Sequence, residues 1–335
     1  MTLRAVIKAG GSKGVDRDAV ASLVAEVARQ DEIVLVHGAS AETDRIAEAL
    51  GVPQETITSP SGHTSRRTDR RTLEVFAMAA LGVENFLYVE KLQQRGVDAV
   101  GLSGLSGRLL VAKRKDVRAV KDGKTILLRD DFTGTVEAVN LPLLTQFIGP
   151  GRVPVIAPLA LSTENEALNV DGDRVAARIA VAIDADALLI LTNVAGLLRD
   201  PNDPSSLVAE ATLDEAEKLA QGRMKKKILA AREAIEGGVG EVVIRARSRA
   251  AVSCRGRRCA RPRGRRTNGA PPSSLDHRSD LRIARRAADH DLAHAALDRL
   301  ARGEDLLLHA ALRQLLGLVE RRLGDERRWV AWVPQ

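Results

Sequence analysis

Aromatic side chains are scarce in this chain: its 335 residues hold four phenylalanines, one tyrosine and two tryptophans. The arginine-rich run 255–266 contains none of them. Proteins that bind single-stranded nucleic acid stack bases on such rings, so the scarcity argues against nucleic acid as a partner. Cysteine is scarcer still. Cys254 and Cys259 are separated by four residues and have no second pair, which makes no zinc site. Long hydrophobic runs are missing too. The longest, "ADALLILTNVAGLL", is too short and too interrupted to span a bilayer. The N-terminus shows no charged-then-apolar leader. A soluble, cytoplasmic protein with no membrane partner is expected. Lysine is absent from residues 245–335, which carry 21 arginines against 10 acidic residues, a net charge of +11. Residues 1–244 carry 30 basic and 34 acidic side chains, a net −4. The whole-chain +7 therefore says nothing about the first 244 residues, and two kinds of sequence meet near Arg245.

Up to that junction, apolar strands alternate with helical patterns. "RAVIKAG" precedes an amphipathic stretch from Asp16 to Gln30, and "EIVLVHG" precedes "AETDRIAEAL", closed by Gly51. A long helical pattern runs from about Thr72 to Gln94. "LLVAKRK", "AVKDGKTILL" and "TGTVEAV" read as a small antiparallel patch, with Asp122-Gly123 as turn chemistry. "VPVIAPLAL" and "ADALLILT" are apolar runs separated by the helical "DRVAARIAVAI". Helices through "LDEAEKLAQ" and "MKKKILAAREAIEGG" lead to the strand "EVVI". The expectation is an α/β fold, a three-layer αβα sandwich around a mainly parallel open sheet. No internal repeat is present. Ligands of such sheets gather beyond the C-terminal strand ends.

Those ends carry the chemistry-bearing residues. The first is Lys8-Ala-Gly10-Gly11-Ser12, the second His37-Gly38-Ala39-Ser40. Glycine lets backbone N–H groups approach phosphate oxygens. The order is unlike the familiar G-x-x-x-x-G-K-S/T loop, because Lys8 precedes its glycines and Lys13 is followed by Gly14. "SPSGHTSRRTDRRT" puts Arg66 and Arg67 before a helix start, as a solvated basic turn or as a fork for a carboxylate. Asn169 and Asp173 stand at another strand mouth, where Asp173 either caps a helix or orients a lysine. "LTNVAGLLRDPND", with Thr192, Asn193 and Gly196, supplies a turn able to frame a nucleotide base. Lys225, Lys226 and Lys227 lie on an early helical turn, and a solvated face accounts for two of the three.

In this order and spacing, residues 4 to about 244 resemble the amino acid kinases, within them acetylglutamate kinase and its relatives. The resemblance rests on K-x-G-G, H-G-x-S, Arg66-Arg67-Thr68, "AVGLSG", Asn169 to Asp173, "LTNVAGLL" and "GRMKKK". It implies a carbamate kinase-like fold and transfer of the γ-phosphoryl of ATP, brought with Mg²⁺, to a side-chain carboxylate. Lys8 and Lys227 would neutralise charge on the transferring group, and Asp173 would hold both lysines. Gly10, Gly11, Gly38 and Ala39 would line the phosphoryl and substrate site with N–H donors. Arg66 and Asn169 would bind the unreacting carboxylate, while Thr192, Asn193 and Gly196 would meet the nucleotide. Relatives usually carry a second glycine at position 39. The methyl of Ala39 is harmless if φ is negative there and costly if φ is positive.

"SPSGHTSRRTDRRTLEVF", "LSTENEALNVDGD" and "AQGRMKKK" look most like the [LysW]-aminoadipate kinases, which act on 2-aminoadipate, or in some relatives glutamate, carried on a small acidic protein in lysine or arginine biosynthesis. Acetylglutamate kinase proper, acting on free N-acetylglutamate, is the alternative. Arg66, Arg67, Arg70, Arg71, Arg223, Lys225 and Lys226 are candidates to face an acidic carrier. The resemblance further implies a homodimer through the helix near Thr72–Gln94. The expected division is an amino-acid-binding lobe at 1–160, an ATP-binding lobe at 161–244 and a foreign arginine-rich tail at 245–335. Translation of a GC-rich gene out of frame is the favoured origin of that tail, ahead of a fused helical segment or a nucleic-acid-binding arm. An out-of-frame tail would leave a bare sheet edge.

Overall fold

The computed structural model describes residues 2–60, 64–121, 123–193, 197–200, 203, 206, 208, 210–246 and 329–331. Two strand–helix units open the chain: β1 (Arg4–Ala9) and α1 (Arg17–Val27), then β2 (Glu32–His37) and α2 (Ser40–Ala49). Asp16 caps α1 by accepting from the Asp18 and Ala19 N–H groups. A hairpin follows, β3 (Thr56–Thr58) with β4 (Thr64–Arg66). Asp69 then caps α3 (Arg70–Ala77), which continues through a π-helical stretch, Met78–Asn85, into α4 (Phe86–Gln93).

After β5 (Asp98–Ser103) come β6 (Leu110–Arg114), β7 (Val117–Lys121), β8 (Lys124–Leu128) and β9 (Thr133–Val139). The short α5 (Leu141–Leu144) precedes β10 (Arg152–Ala157), β11 (Leu159–Leu161) and β12 (Ala167–Val170). Then follow α6 (Gly172–Ala182), β13 (Ala187–Thr192), β14 (Glu210–Thr212), α7 (Leu213–Leu219), α8 (Arg223–Glu236), β15 (Glu241–Ala246) and β16 (Trp329–Ala331).

The main sheet runs β14-β16-β15-β13-β1-β2-β10-β5. Its pairings from β16 to β5 are parallel, and β14 is antiparallel. Side chains alternate across it with the two-residue period of a strand. Ala5, Ile7 and Ala9 of β1 join a core with α1, Tyr88 and Leu92, while Val6 faces a second core built on α6 and α8. These two helical layers around the sheet make the αβα sandwich. Lys8 shares the face of Val6 and so points toward α6.

The apolar run "VPVIAPLAL" is divided: the chain breaks at Pro158, and β10 and β11 enter different sheets. Three sequence expectations need correction. The antiparallel patch is two structures, a closed barrel β11-β12-β9-β6 and a separate β7–β8 hairpin. The helix Arg70–Gln93 is by length and composition apolar enough to cross a membrane, and half of that window is buried inside the fold. The edge beside β15 is not bare, because Val330 and Ala331 of β16 pair with Val242 and Val243.

Candidate active site

β2, β10 and β5 lie on one side of β1 and β13 and β15 on the other, so the direction of strand order switches at β1, and ligands of such sheets bind beyond the C-terminal strand ends at that switch. A cleft of about 880 Å³ occupies it. Of the twelve residues singled out from the sequence, eleven line this cleft: Lys8, Gly10, Gly11, Gly38, Ala39, Arg66, Asn169, Asp173, Thr192, Asn193 and Lys227. Gly196 lies outside the described residues.

At its floor, Lys8 Nζ lies 2.7 Å from Asp173 Oδ1. Lys227 Nζ donates to Asp173 Oδ2 at 2.9 Å. All three side chains are buried. Asp173 is free for this task because Asp171 caps α6 instead, accepting from Asp173 N–H and Arg174 N–H at 3.0 and 3.2 Å. Burial pushes the Asp173 carboxyl up, but the charges of Lys8 and then Lys227 outweigh it and hold it at about 2. Burial lowers the Lys227 ammonium from its ordinary value, against the pull of Asp173. Two ammonium groups sharing one carboxylate leave a surplus positive charge in a poorly solvated floor, which a transferring phosphoryl group would neutralise.

The two glycine loops touch backbone to backbone. A Cβ on Gly11 would stand 2.2 Å from Ala39 N, and one on Gly38 would stand 2.6 Å from Gly11 N. Gly10 N–H donates to Leu191 O and Gly38 N–H to Ala9 O. This corrects the expectation that both face a ligand; the Gly11 and Ala39 N–H groups have no acceptor among the described residues. Ala39 has φ −141°, so its methyl carries no left-handed strain, and it packs with Leu73, Phe76 and Leu159. His37 points to the opposite face, stacked on Tyr88 with its Nε2 3.1 Å from Asn85 Nδ2. Burial pushes its imidazole down to about 4.

On one side of the cleft, Arg66 lies in the wall and pairs with Asp44. Asn169 Nδ2 donates to Thr68 Oγ1 at 3.3 Å. On the other side, Asn193 Nδ2 donates to Lys13 O at 3.0 Å and ties the two strand-end loops together. The basic mouth is less available than the sequence suggests. Arg67 pairs with Glu55 and Asp130, and Arg70 and Arg71 share Glu74. Lys226 reaches the cleft; the Arg223 side chain lies outside the described set.

Sequence reasoning missed Lys115 and gave Thr68 no role beyond its place in the Arg66-Arg67-Thr68 motif; both stand in the cleft wall. Partial desolvation there, helped by the Arg174 charge, lowers the Lys115 ammonium. It also passed over a signal in the helices. Asp173 shares a helical stripe with Ala176, Ala177 and Ala180, and Lys227 one with Ala230, Ala231 and Ala234. A charged residue in register with an apolar stripe must be paired when the helix packs.

Residues 3–246 match the amino acid kinase family. The chain belongs to that family. It is 54% identical over 243 residues to a [LysW]-aminoadipate kinase of Deinococcus radiodurans, covering 71% of this chain and 83% of the relative. It is 49% identical over 245 residues to a [LysW]-aminoadipate kinase of Thermus thermophilus, covering 71% and 91%. Among solved structures it resembles smu.665 of Streptococcus mutans, with TM-score 0.57 and 27% identity over 72% of this chain and 93% of that one. Family membership makes the chain an ATP-dependent phosphotransferase with a carboxyl group as acceptor.

Proposed function

We propose that the chain phosphorylates the side-chain carboxylate of 2-aminoadipate, or of glutamate, attached through its amino group to a small acidic carrier protein, and that it does so as a cytoplasmic homodimer. The observation that carries this reading is the buried Lys8–Asp173–Lys227 bridge, in a chain about half identical to kinases of that name. A carboxylate oxygen attacks the γ-phosphorus, the bond to the ADP oxygen breaks, and an acyl phosphate and ADP result. Lys8 takes charge developing on the transferring group and Lys227 charge on the ADP side. Asp173 keeps both ammonium groups aimed. Little covalent help is needed, because such transfer is governed by positioning and electrostatics.

Arg66 and Asn169 hold the unreacting part of the acceptor, and Thr192, Asn193 and Gly196 meet the nucleotide. Among the described residues no three His, Cys, Asp or Glu side chains converge. Mg²⁺ would arrive bound to ATP, held mainly through its phosphates and water. The dimer reading is supported by Met78, Leu81 and Phe86, which expose 46%, 37% and 58% of their surface along one helix.

The test is a hydroxylamine trap with Mg·ATP and three acceptors: carrier bearing aminoadipate, carrier bearing glutamate, and free N-acetylglutamate. Hydroxamate on the carrier is the expected product, and its mass names the amino acid. Hydroxamate on the free compound alone would make the chain an acetylglutamate kinase.

A further inference from the structure

The acceptor side of the cleft is assembled from two pieces distant in sequence: the β3–β4 hairpin with Thr68 two residues beyond its end, and the barrel strands β9 and β12 that carry Thr133 and Asn169. Asp131 joins them. Its side chain is 1% exposed and is held by neutral donors. Thr68 N–H donates to Oδ2 at 3.0 Å, while Thr133 N–H and Thr133 Oγ1 donate to Oδ1 at 3.0 and 2.6 Å. Backbone bonds close the ring: Phe132 N–H to Thr68 O at 2.7 Å and Asn169 N–H to Phe132 O at 2.8 Å. The Asn169 amide completes it on Thr68 Oγ1. Arg114 braces the outside, donating through Nε to Asp131 O at 2.8 Å with its guanidinium 4.3 Å from the Phe132 ring centre.

A buried carboxylate is an expensive way to join two loops. It is also a side chain of this size that accepts hydrogen bonds at both ends. Asparagine has one accepting end and one donating end. In either orientation it would set an NH₂ group against the N–H of Thr68 or of Thr133.

We propose that Asp131 is a positioning residue for the acceptor: by fixing Thr68 it sets the Asn169 amide and the hairpin that presents Arg66. This rests on the functional reading above only in assigning Arg66 and Asn169 to the acceptor. Among the described residues no hydrogen bond or ion pair joins the ring to the lysine bridge or to Asn193, so the nucleotide side should be indifferent to it.

The experiment compares wild type, Asp131→Asn, Thr133→Val and Thr133→Ser, using whichever trap acceptor the wild type consumes, with hydrogen exchange at the Thr68 amide measured alongside. Losing one well-formed buried hydrogen bond predicts an acceptor KM raised about tenfold in Asp131→Asn. The KM for ATP should stay within about twofold, because no hydrogen bond or ion pair among the described residues links the ring to that side. Thr133→Val removes the hydroxyl donor but spares the Thr68 bond, so a smaller rise of about threefold is expected, and Thr133→Ser restores wild-type behaviour. Thr68 exchange should quicken in Asp131→Asn. An unchanged acceptor KM in both Asp131→Asn and Thr133→Val overturns the proposal, as does a parallel rise in both KM values. If the wild type consumes no acceptor, the functional reading fails alone, and Thr68 exchange still decides whether Asp131 holds the hairpin: unaltered exchange in Asp131→Asn sinks the proposal.

Discussion

At the scale of single residues, the site turns on one carboxylate between two ammonium groups. Asp173→Asn would leave Lys8 and Lys227 buried with a neutral partner. Removing a group that arranges transition-state charge commonly costs about 10²–10³ in kcat, and that loss is the expected outcome in steady-state kinetics. Stranding the two lysines should also lower stability by about 3–5 kcal/mol, read from denaturant unfolding. The glycine loops permit a paired prediction. Gly11→Ala drives a methyl into the Ala39 backbone and should abolish turnover. Ala39→Gly should leave kcat within about twofold and cost no more than about 1 kcal/mol of stability, because φ −141° demands nothing of glycine. Strong loss of activity in Ala39→Gly would show that the methyl itself supports the site through Leu73 and Phe76.

At the scale of elements, the π-helical stretch between α3 and α4 presents Glu84 and Asn85 inward. Glu84 binds Arg17 through both carboxylate oxygens, at 2.7 and 2.9 Å. Asn85 binds His37 and donates to Val155 O at 2.9 Å. The end of β2, where the Gly38 loop begins, is thereby fastened to a helix four elements later. His37 makes this junction sensitive to acid. Its imidazole, held down from 6.5 to about 4, stays neutral in the folded protein while the unfolded chain takes up a proton. The contribution is complete above pH 6.5 and is lost as pH falls toward 4, amounting to about 3 kcal/mol. Asp173 contributes only as pH drops from 3.8 toward 2, so the two windows do not overlap. Urea unfolding at pH 7 and pH 4.5 should show the loss, and His37→Gln should flatten the slope. An unchanged slope would place the acid sensitivity elsewhere.

At the scale of the whole molecule, the family match ends at residue 246, yet a strand from the tail, Trp329–Ala331, lies between β15 and β14. We propose that the remaining residues beyond 246 are foreign to the kinase, which the coding DNA read one base out of frame after codon 244 would test by yielding a family-like ending. Whatever its origin, the tail strand covers an edge that would otherwise be open to pairing. A chain ending at residue 246 should therefore melt earlier by calorimetry and aggregate more readily. Equal melting temperatures would mean that β16 contributes nothing. The carrier reading meets its own test in Arg70→Glu combined with Lys226→Glu, expected to raise the carrier KM at low salt and to matter little at high salt.

The alternation of apolar strands with amphipathic helices fixed the layered α/β architecture, because two-residue and 3.6-residue periods can be satisfied only by burying sheet and helix against each other. The strand-end clusters Lys8-Gly10-Gly11 and Gly38-Ala39 were legible because a parallel sheet delivers its C-terminal ends to one edge, whereas Asn169 on a barrel strand and Asp173 and Lys227 on helices were legible through the family resemblance. What the sequence left open were choices between equivalent local roles. Asp171 and Asp173 can each cap α6, and only the approach of Lys8 from β1 and Lys227 from α8 decides which one does. The tolerance of Ala39 depended on a dihedral angle that no pattern encodes. Asp131 carried no signal at all, because its meaning is a meeting of Thr68 with Thr133 across 65 residues of chain, and long-range pairing of that kind exists only once the barrel has closed.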